Sequence, residues 1–305
     1  MNKKLFIIGL GGLTGHKLAK LAKKYFEVMG SYNLRNPKLD DVKHFKIDLE
    51  NFQELIDSIT KINPDYVVNT SGINNVDYCE ENQKLAFKIN FEVVKELTEF
   101  CNSKKIKLIQ LSTDSVFDGK KNEPYLENDS PNPINVYGKT KYEAEKVVLK
   151  NPENIVIRTS VLYGQLPKEL SKMNSSSMKP LNFSQWLIGK LENNENVKIV
   201  VDEYSSPILV DDFAKSILHL IKNNHSGLFH SAPNLKINRF DFCKKIATEF
   251  NYDLKLILPT TIKELGRDVS TGENKVLNSE KLANTNFRFL TLTQSLELLK
   301  KQFSK

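Results

Sequence analysis

Tyr137 and Lys141 stand four residues apart in Tyr137-Gly138-Lys139-Thr140-Lys141, a segment that reads as helical. On a helix that spacing puts both side chains on one face. A tyrosine of ordinary acidity, with a pKa of about 10, is a poor acid-base catalyst at neutral pH. A lysine ammonium one turn away favours the phenolate and so makes the phenol a usable acid. Thr113 lies 24 residues before Tyr137, just past the apolar strand Ile106-Lys107-Leu108-Ile109-Gln110-Leu111-Ser112. Reducing a ketone takes a hydride, a proton for the developing alkoxide and donors that hold the oxygen. Thr113, Tyr137 and Lys141 are the candidates for the proton and for the donors.

The hydride needs a dinucleotide, and the chain opens with a turn suited to one. Gly9-Leu10-Gly11-Gly12-Leu13-Thr14-Gly15 follows the first apolar strand and precedes a helix, giving GxxGxxG through Gly9, Gly12 and Gly15. Backbone amides there approach a pyrophosphate closely, and the helix N-terminus presents its partial positive charge. After the second strand comes Gly30-Ser31-Tyr32-Asn33-Leu34-Arg35, which has no acid for a ribose 2′-hydroxyl and one arginine. Arg35, with Ser31 or Asn33, suits a 2′-phosphate, so the expectation is NADPH over NADH. Asp48-Leu49 closes the third strand, beside the expected adenine, and Thr70-Ser71-Gly72 closes the fourth, beside the phosphate and ribose. Both follow from the rule that ligands bind outside the carboxyl ends of strands.

These groups must be positioned by a scaffold, and the first half of the chain supplies a regular one. Leu5 to Ile8, Phe26 to Tyr32, His44 to Ile47, Asp65 to Asn69, Ile106 to Leu111 and Asn154 to Arg158 read as strands. Helical spacing fills Lys17 to Lys24, Phe52 to Lys61, Gln83 to Asn102 and Tyr142 to Lys150. Alternation of this kind predicts an α/β fold with a doubly wound parallel sheet. The apolar strands agree, because both faces are then buried. After Gly164 the regularity fails, and Gln165 to Asn182 reads as a loop or lid. Helices are expected at Phe183 to Glu192, Asp211 to Lys222, Arg239 to Phe250 and Leu292 to Lys300, and strands at Val197 to Val201 and Gly227 to Ser231. The organisation expected is a dinucleotide-binding domain over 1–164, completed by segments near 208–232, with 165–305 mainly a smaller substrate lobe.

Bulk properties narrow the class. The 305 residues are 40% hydrophobic and 27% charged, the balance of a soluble globular chain with length for a buried core. A formal charge of +7 is spread through lysine runs such as Lys20-Leu21-Ala22-Lys23-Lys24, which fit solvated helix faces rather than a nucleic-acid surface. Cys79, Cys101 and Cys243 are odd in number and form no CxxC, so neither a disulfide framework nor a metal site is expected. His16 and His230 read as structural. The basic and apolar start breaks at Gly9, which reads as a strand entering a glycine turn rather than a leader. No apolar run is long enough to span a bilayer, and the expected location is the cytoplasm.

A resemblance then adds to the residues. Ser112-Thr113-Asp114-Ser115-Val116-Phe117-Asp118-Gly119, Pro124-Tyr125-Leu126-Glu127, Pro133 and Tyr137 to Lys141 resemble the extended short-chain dehydrogenases/reductases. They are most similar to the dTDP-4-dehydrorhamnose reductase branch, as are Asn69 to Asp77, Ala86 to Asn90 and Arg158-Thr159-Ser160. The resemblance is dense over 5–164 and sparse afterwards. It implies a Rossmann domain with a C-terminal lobe for a sugar nucleotide, and catalytic positions at Thr113, Tyr137 and Lys141. Asn90 would help order the site, the substrate would be a nucleotide-linked 4-keto deoxysugar, and a homodimer would form. Three departures bear on the substrate: Ser115 stands where the reductases carry Tyr, Val161 where Trp is common, and Arg267 precedes Asp268 where Arg-Pro is expected. Val161-Leu162-Tyr163-Gly164 with Glu145-Lys146 also resembles the regulatory β subunit of methionine adenosyltransferase, which implies an NADP-loaded binding subunit without turnover. An epimerase using tightly held NAD is a third reading, which the absent ribose acid disfavours. Lys172, Lys179, Arg239 and Arg267 are candidate cations for a substrate diphosphate.

Overall fold

A computed structural model describes residues 3–173, 182–266, 269 and 271–304. Its frame is a parallel sheet of seven strands: β1 (Lys4–Ile8), β2 (Glu27–Tyr32), β3 (Lys43–Lys46), β4 (Tyr66–Asn69), β5 (Lys107–Thr113), β6 (Ile155–Thr159) and a seventh, Gly227–Ser231, from far along the chain. The order runs from Gly227–Ser231 through β6, β5, β4, β1 and β2 to β3, and every pairing is parallel. The order reverses between β1 and β4, so a crevice opens beyond their carboxyl ends. The glycine turn follows β1 and Thr70-Ser71-Gly72 follows β4, on opposite lips of that crevice.

Strand residues alternate between two cores because successive side chains point to opposite faces. Leu5 and Ile7 of β1 join Val68, Ile109 and Ile157 under α1 (Leu13–Ala22) and the helix Val210–Lys222, whose Phe213 and Ile217 are fully buried. Phe6 and Ile8 face the other way, with Val67 and Leu108, against α2 (Phe52–Ile62) and the helices Val93–Ser103 and Val136–Val148. After β4 the chain runs through α3 (Val76–Glu81), α4 (Gln83–Phe87), a π-helical turn (Lys88–Glu92) and α5 (Val93–Ser103), and α6 (Val136–Val148) follows β5; Cys79 of α3 and Ala86 of α4 form a separate small cluster with Ile73 and Val136. A third core, with Tyr163, Leu187, Ile199, Phe242, Ile246 and Leu299, belongs to the C-terminal region. The helices Phe183–Glu192, Arg239–Phe250 and Leu292–Phe303 and the paired strands Val197–Val200 and Ile257–Thr260 build around it.

Several boundaries differ from expectation, each for a local reason. α1 begins at Leu13 rather than Lys17, because Gly15 without a Cβ lets the helix start against the Gly9 carbonyl. α6 spans Val136–Val148, joining the segment Tyr137 to Lys141, which reads as helical, to the helix expected from Tyr142. Gly138 and Thr140 are weak helix formers, but the Asn135 side chain accepts from Gly138 N at 2.8 Å and caps the turn. The single helix expected over Gln83 to Asn102 is broken by the π turn, whose extra residue turns Asn90 inward. The expected loop Gln165 to Asn182 holds a helical turn at Lys168–Ser171, and 174–181 lie outside the described residues. No helix among the described residues is long and apolar enough to cross a membrane.

Leu108, the second residue of β5, has no exposed surface. Leu108→Ala is therefore expected to cost about 2–5 kcal/mol, as a fall in the denaturant midpoint, whereas Leu254→Ala, at a leucine 40% exposed, should move it by at most about 0.5 kcal/mol.

Candidate active site

The crevice is lined first by the glycine turn. Gly9 has φ +96°, a conformation that side chains rarely adopt, and its amide and that of Leu10 both donate to the Ser31 carbonyl, at 2.9 and 2.8 Å. A Cβ on Gly15 would lie 2.2 Å from the Gly9 carbonyl oxygen and 2.9 Å from Thr70 Oγ1. Thr70 Oγ1 in turn donates to the Ile8 carbonyl at 2.7 Å, tying the end of β4 to the end of β1. Gly12 is the N-cap of α1 and is exposed, with no side-chain cap, and the first turn carries no acid. The turn is thus closed around its own backbone while the positive end of α1 is left bare, with half-buried Leu13 and buried Thr14 behind it. These features fit a dinucleotide diphosphate.

The remaining residues expected at the cofactor lie along the same edge. Asp48 and Leu49 come just beyond β3; Asp48 Oδ1 accepts from Glu50 N at 3.0 Å. Asn33 is half-buried beyond β2. Arg35 is buried beneath the glycine turn, its Nη2 donating to the Met173 carbonyl at 2.9 Å and its Nη1 reaching the Gly11 carbonyl at 3.5 Å. Ser71 N donates to Asn69 Oδ1 at 3.1 Å, and Gly72 packs against Asn90 Oδ1. Asn90 accepts from Ile73 N at 2.8 Å and donates to the Ile73 carbonyl and to Thr140 Oγ1, so it braces the segment after β4 against α6.

The three residues expected to carry the reaction meet at the end of β5. Thr113 Oγ1 donates to Asp114 Oδ1 at 3.1 Å, accepts from Ser115 N at 3.1 Å, and is hydrogen-bonded to the Tyr137 side chain. Burial pushes the Tyr137 phenol well above its ordinary acidity range; the Thr113 bond opposes this, and the Asp114 charge adds to it. One turn on, Lys141 Nζ donates to the Leu111 carbonyl at 2.6 Å. Burial lowers its pKa from 10.5 to about 8, and Glu145 opposes the fall. Thr113, Tyr137 and Lys141 are therefore brought together, with the ammonium anchored to the strand backbone rather than to the phenol.

Other groups close the site that motif reading did not single out. Asp114 is buried and also accepts from Ser160 Oγ at 2.8 Å. Glu145 lies one turn beyond Lys141, so the spacing 137, 141, 145 was a signal in the sequence; the partners of Glu145, Ser112 and Arg158, were not. Among the cations considered for a diphosphate, Arg239 heads its helix, bonds Glu203 at 2.6 Å and lies over the Phe183 ring. Lys172 is exposed, while Lys179 and Arg267 lie outside the described residues. His16 and His230 are buried and kept neutral; burial holds their pKa values down at about 4 and about 3.

Known proteins are similar to this chain in sequence and fold. The structure of dTDP-4-dehydrorhamnose reductase from Bacillus anthracis str. Ames, in complex with NADP, matches with a TM-score of 0.83 at 25% identity, over 99% of this chain and all of its own. The probable low-salt glycan biosynthesis reductase Agl14 of Haloferax volcanii is 28% identical over 275 residues, 90% of this chain and 89% of its own. Methionine adenosyltransferase 2 subunit beta of Danio rerio is 26% identical over 288 residues, 92% of this chain and 84% of its own. The description of the RmlD substrate binding domain matches residues 3–304, and the chain belongs to that family.

Proposed function

We propose that the protein is an NADPH-dependent reductase of the 4-keto group of a nucleotide-linked deoxysugar. The observation that carries this reading is the meeting of Thr113, Tyr137 and Lys141 at the end of β5, beside a glycine turn and an uncapped helix N-terminus. Gly9, Gly12, Leu13, Thr14 and Gly15 would cradle the diphosphate of NADPH, Arg35 and Asn33 its 2′-phosphate, Asp48 and Leu49 the adenine, and Thr70, Ser71 and Gly72 the ribose side. NADPH supplies the hydride. Thr113 holds the substrate oxygen by a hydrogen bond, and Tyr137 delivers the proton to it. Lys141, as the ammonium, makes that phenol a stronger acid and fixes the nicotinamide ribose. The dinucleotide-binding unit is residues 1–164 completed by 208–232, and most of 165–305 forms the substrate lobe. Work in the cytoplasm as a homodimer belongs to the same reading and rests on the family resemblance.

The similarity to a methionine adenosyltransferase β subunit over 92% of the chain favours a second reading, a cofactor-loaded binding subunit. Turnover separates the two. NADPH oxidation with dTDP-4-dehydro-6-deoxyhexose is expected for the wild type, and Tyr137→Phe should lower kcat by about 10²–10⁴-fold with NADPH affinity nearly unchanged. Equal turnover in that variant would sink the mechanism; tight NADPH binding with no turnover by the wild type would favour the subunit reading.

Two further outcomes follow. Because Lys141 titrates at about 8, kcat/KM should fall as pH rises through that value, read from a pH series at constant ionic strength. Arg35→Ser should weaken NADPH binding by roughly 10–100-fold, the worth of a charge-assisted hydrogen bond, and leave NADH binding nearly unaltered in fluorescence titrations. Equal losses for both cofactors would take Arg35 away from the 2′-phosphate.

A further inference from the structure

Behind the reacting groups lies a cluster of charge with no surface of its own. Glu145, Arg158 and Ser112 are 1, 2 and 5% exposed. Arg158 grips the Glu145 carboxylate in a fork, Nη2 to Oε2 at 2.7 Å and Nε to Oε1 at 2.9 Å. Ser112 Oγ donates to the same Oε1 at 2.5 Å. The fork is itself braced, with the guanidinium over the Phe117 ring and Nη1 3.4 Å from His230 Nε2. His230 Nδ1 sits 3.0 Å from the Asn278 carbonyl, so that nitrogen carries the proton and Nε2 faces Arg158 as an acceptor. The histidine therefore adds no second positive charge.

The carboxylate is shared. Lys141 is one helical turn away on the same face of α6, and its direct partner, the Leu111 carbonyl, is neutral. On the elements packed around α6 the buried titratable groups are Asp114 after β5, Cys79 of α3, Cys101 of α5 and Arg158 of β6; Tyr78 and Glu80 of α3, Lys88 of the π turn and Lys107 of β5 are half-buried, and the other charged groups there are exposed. Asp114 and Cys79 act on the Tyr137 phenol, Glu80 accepts from Val136 N, and the Cys101 thiol is pushed up to about 12 by burial and stays neutral. Glu145 is the group whose charge bears on Lys141. With it gone, two cations would share a buried site without a counter-charge, and the ammonium is the one that can shed a proton.

We propose that Glu145 is a positioning residue for the reaction: fixed by Arg158 and Ser112, its charge keeps Lys141 an ammonium through the pH range in which Tyr137 must give up its proton. This rests on reading Tyr137 and Lys141 as the acid and its partner. A strut that merely joined α6 to β6 would be served as well by a buried apolar pair, and ion pairs of this kind are often no more stabilising than such a pair. The position one turn from Lys141 is what a strut does not need.

The test compares the full-length wild type with Glu145→Gln in two titrations. One is the pH profile of kcat/KM for NADPH-dependent keto-sugar reduction. The other is the 15N resonance of Lys141 Nζ in lysine-labelled protein without substrate, assigned by its loss in Lys141→Arg. Both midpoints are expected to move to lower pH by about one unit or more, the effect of removing an opposite charge at close range. A rate lowered by one factor at every pH, with both midpoints unmoved, overturns the proposal and makes Glu145 a strut. If Glu145→Gln does not fold, Glu145→Gln/Arg158→Met removes the orphaned cation too; both midpoints are then expected to fall by less than in the single variant, because a positive charge leaves with the carboxylate, and midpoints at the wild-type pH overturn the proposal. If the wild type turns over no keto sugar, the assigned function fails, and the Nζ titration alone still decides the role of Glu145.

Discussion

A lysine ammonium held against the backbone of a central strand is the constraint around which this molecule is arranged. Lys141 reaches the Leu111 carbonyl at 2.6 Å, and the next two residues of β5 are tied to the same helix, Ser112 to Glu145 and Thr113 to Tyr137. Gly138 completes the contact, since a Cβ there would lie 2.1 Å from the Ser115 carbonyl oxygen. Helix and strand cannot slide past one another without losing all of these at once. Burial has a thermodynamic cost: a lysine titrating at about 8 instead of 10.5 destabilises the folded state by about 3 kcal/mol at neutral pH. The two apolar cores on either face of the sheet are what offset such a term.

The other lip of the crevice is organised by close approach rather than by charge. The Gly9 and Gly15 backbones pack against each other and against the Thr70 hydroxyl, so the ends of β1 and β4 and the start of α1 form one unit. Arg35 extends that unit beyond the sheet, because its guanidinium bonds the Met173 carbonyl while its backbone lies under Gly11. A group suited to an anion thus already serves as a tie between the turn and the segment after the short helix Lys168–Ser171.

How far the sequence alone carries depends on how local the causes are. The strand Gly227–Ser231 and the helices Phe183–Glu192 and Arg239–Phe250 fall at the expected residues, because their apolar spacing lies within each segment. The helix through Tyr137 to Lys141 was legible from the spacing of its reactive side chains, but what starts it was not: Gly138 and Thr140 are weak helix formers, and Asn135 and the Ser115 contact impose the first turn. The π turn, with its inward Asn90, leaves the helical period almost intact and is invisible to it. Two-residue strands such as Leu162–Tyr163 with Ile208–Leu209 exist only through distant partners, and Pro259 disguises the strand Ile257–Thr260. In the candidate site, types and spacing singled out Thr113, Tyr137 and Lys141, which the fold brings together. They could not reveal that Arg158 and Ser160, at the end of β6, would reach Glu145 and Asp114, or that Glu203 and Arg239 would pair across 36 residues of chain.

The seventh strand has a consequence for how the chain comes into being. Its partner β6 ends at Thr159, yet Gly227–Ser231 is made only some 70 residues later. At ribosomal rates of about 5–20 residues per second, β6 waits roughly 4–14 s for its neighbour. During that interval the nascent sheet presents an open parallel edge of Ile155, Val156 and Ile157, all fully buried in the finished protein. The intervening residues include the helix Val210–Lys222, which later covers one face of the sheet. Vectorial synthesis therefore leaves the first six strands with an aggregation-prone edge until much of the second half has emerged.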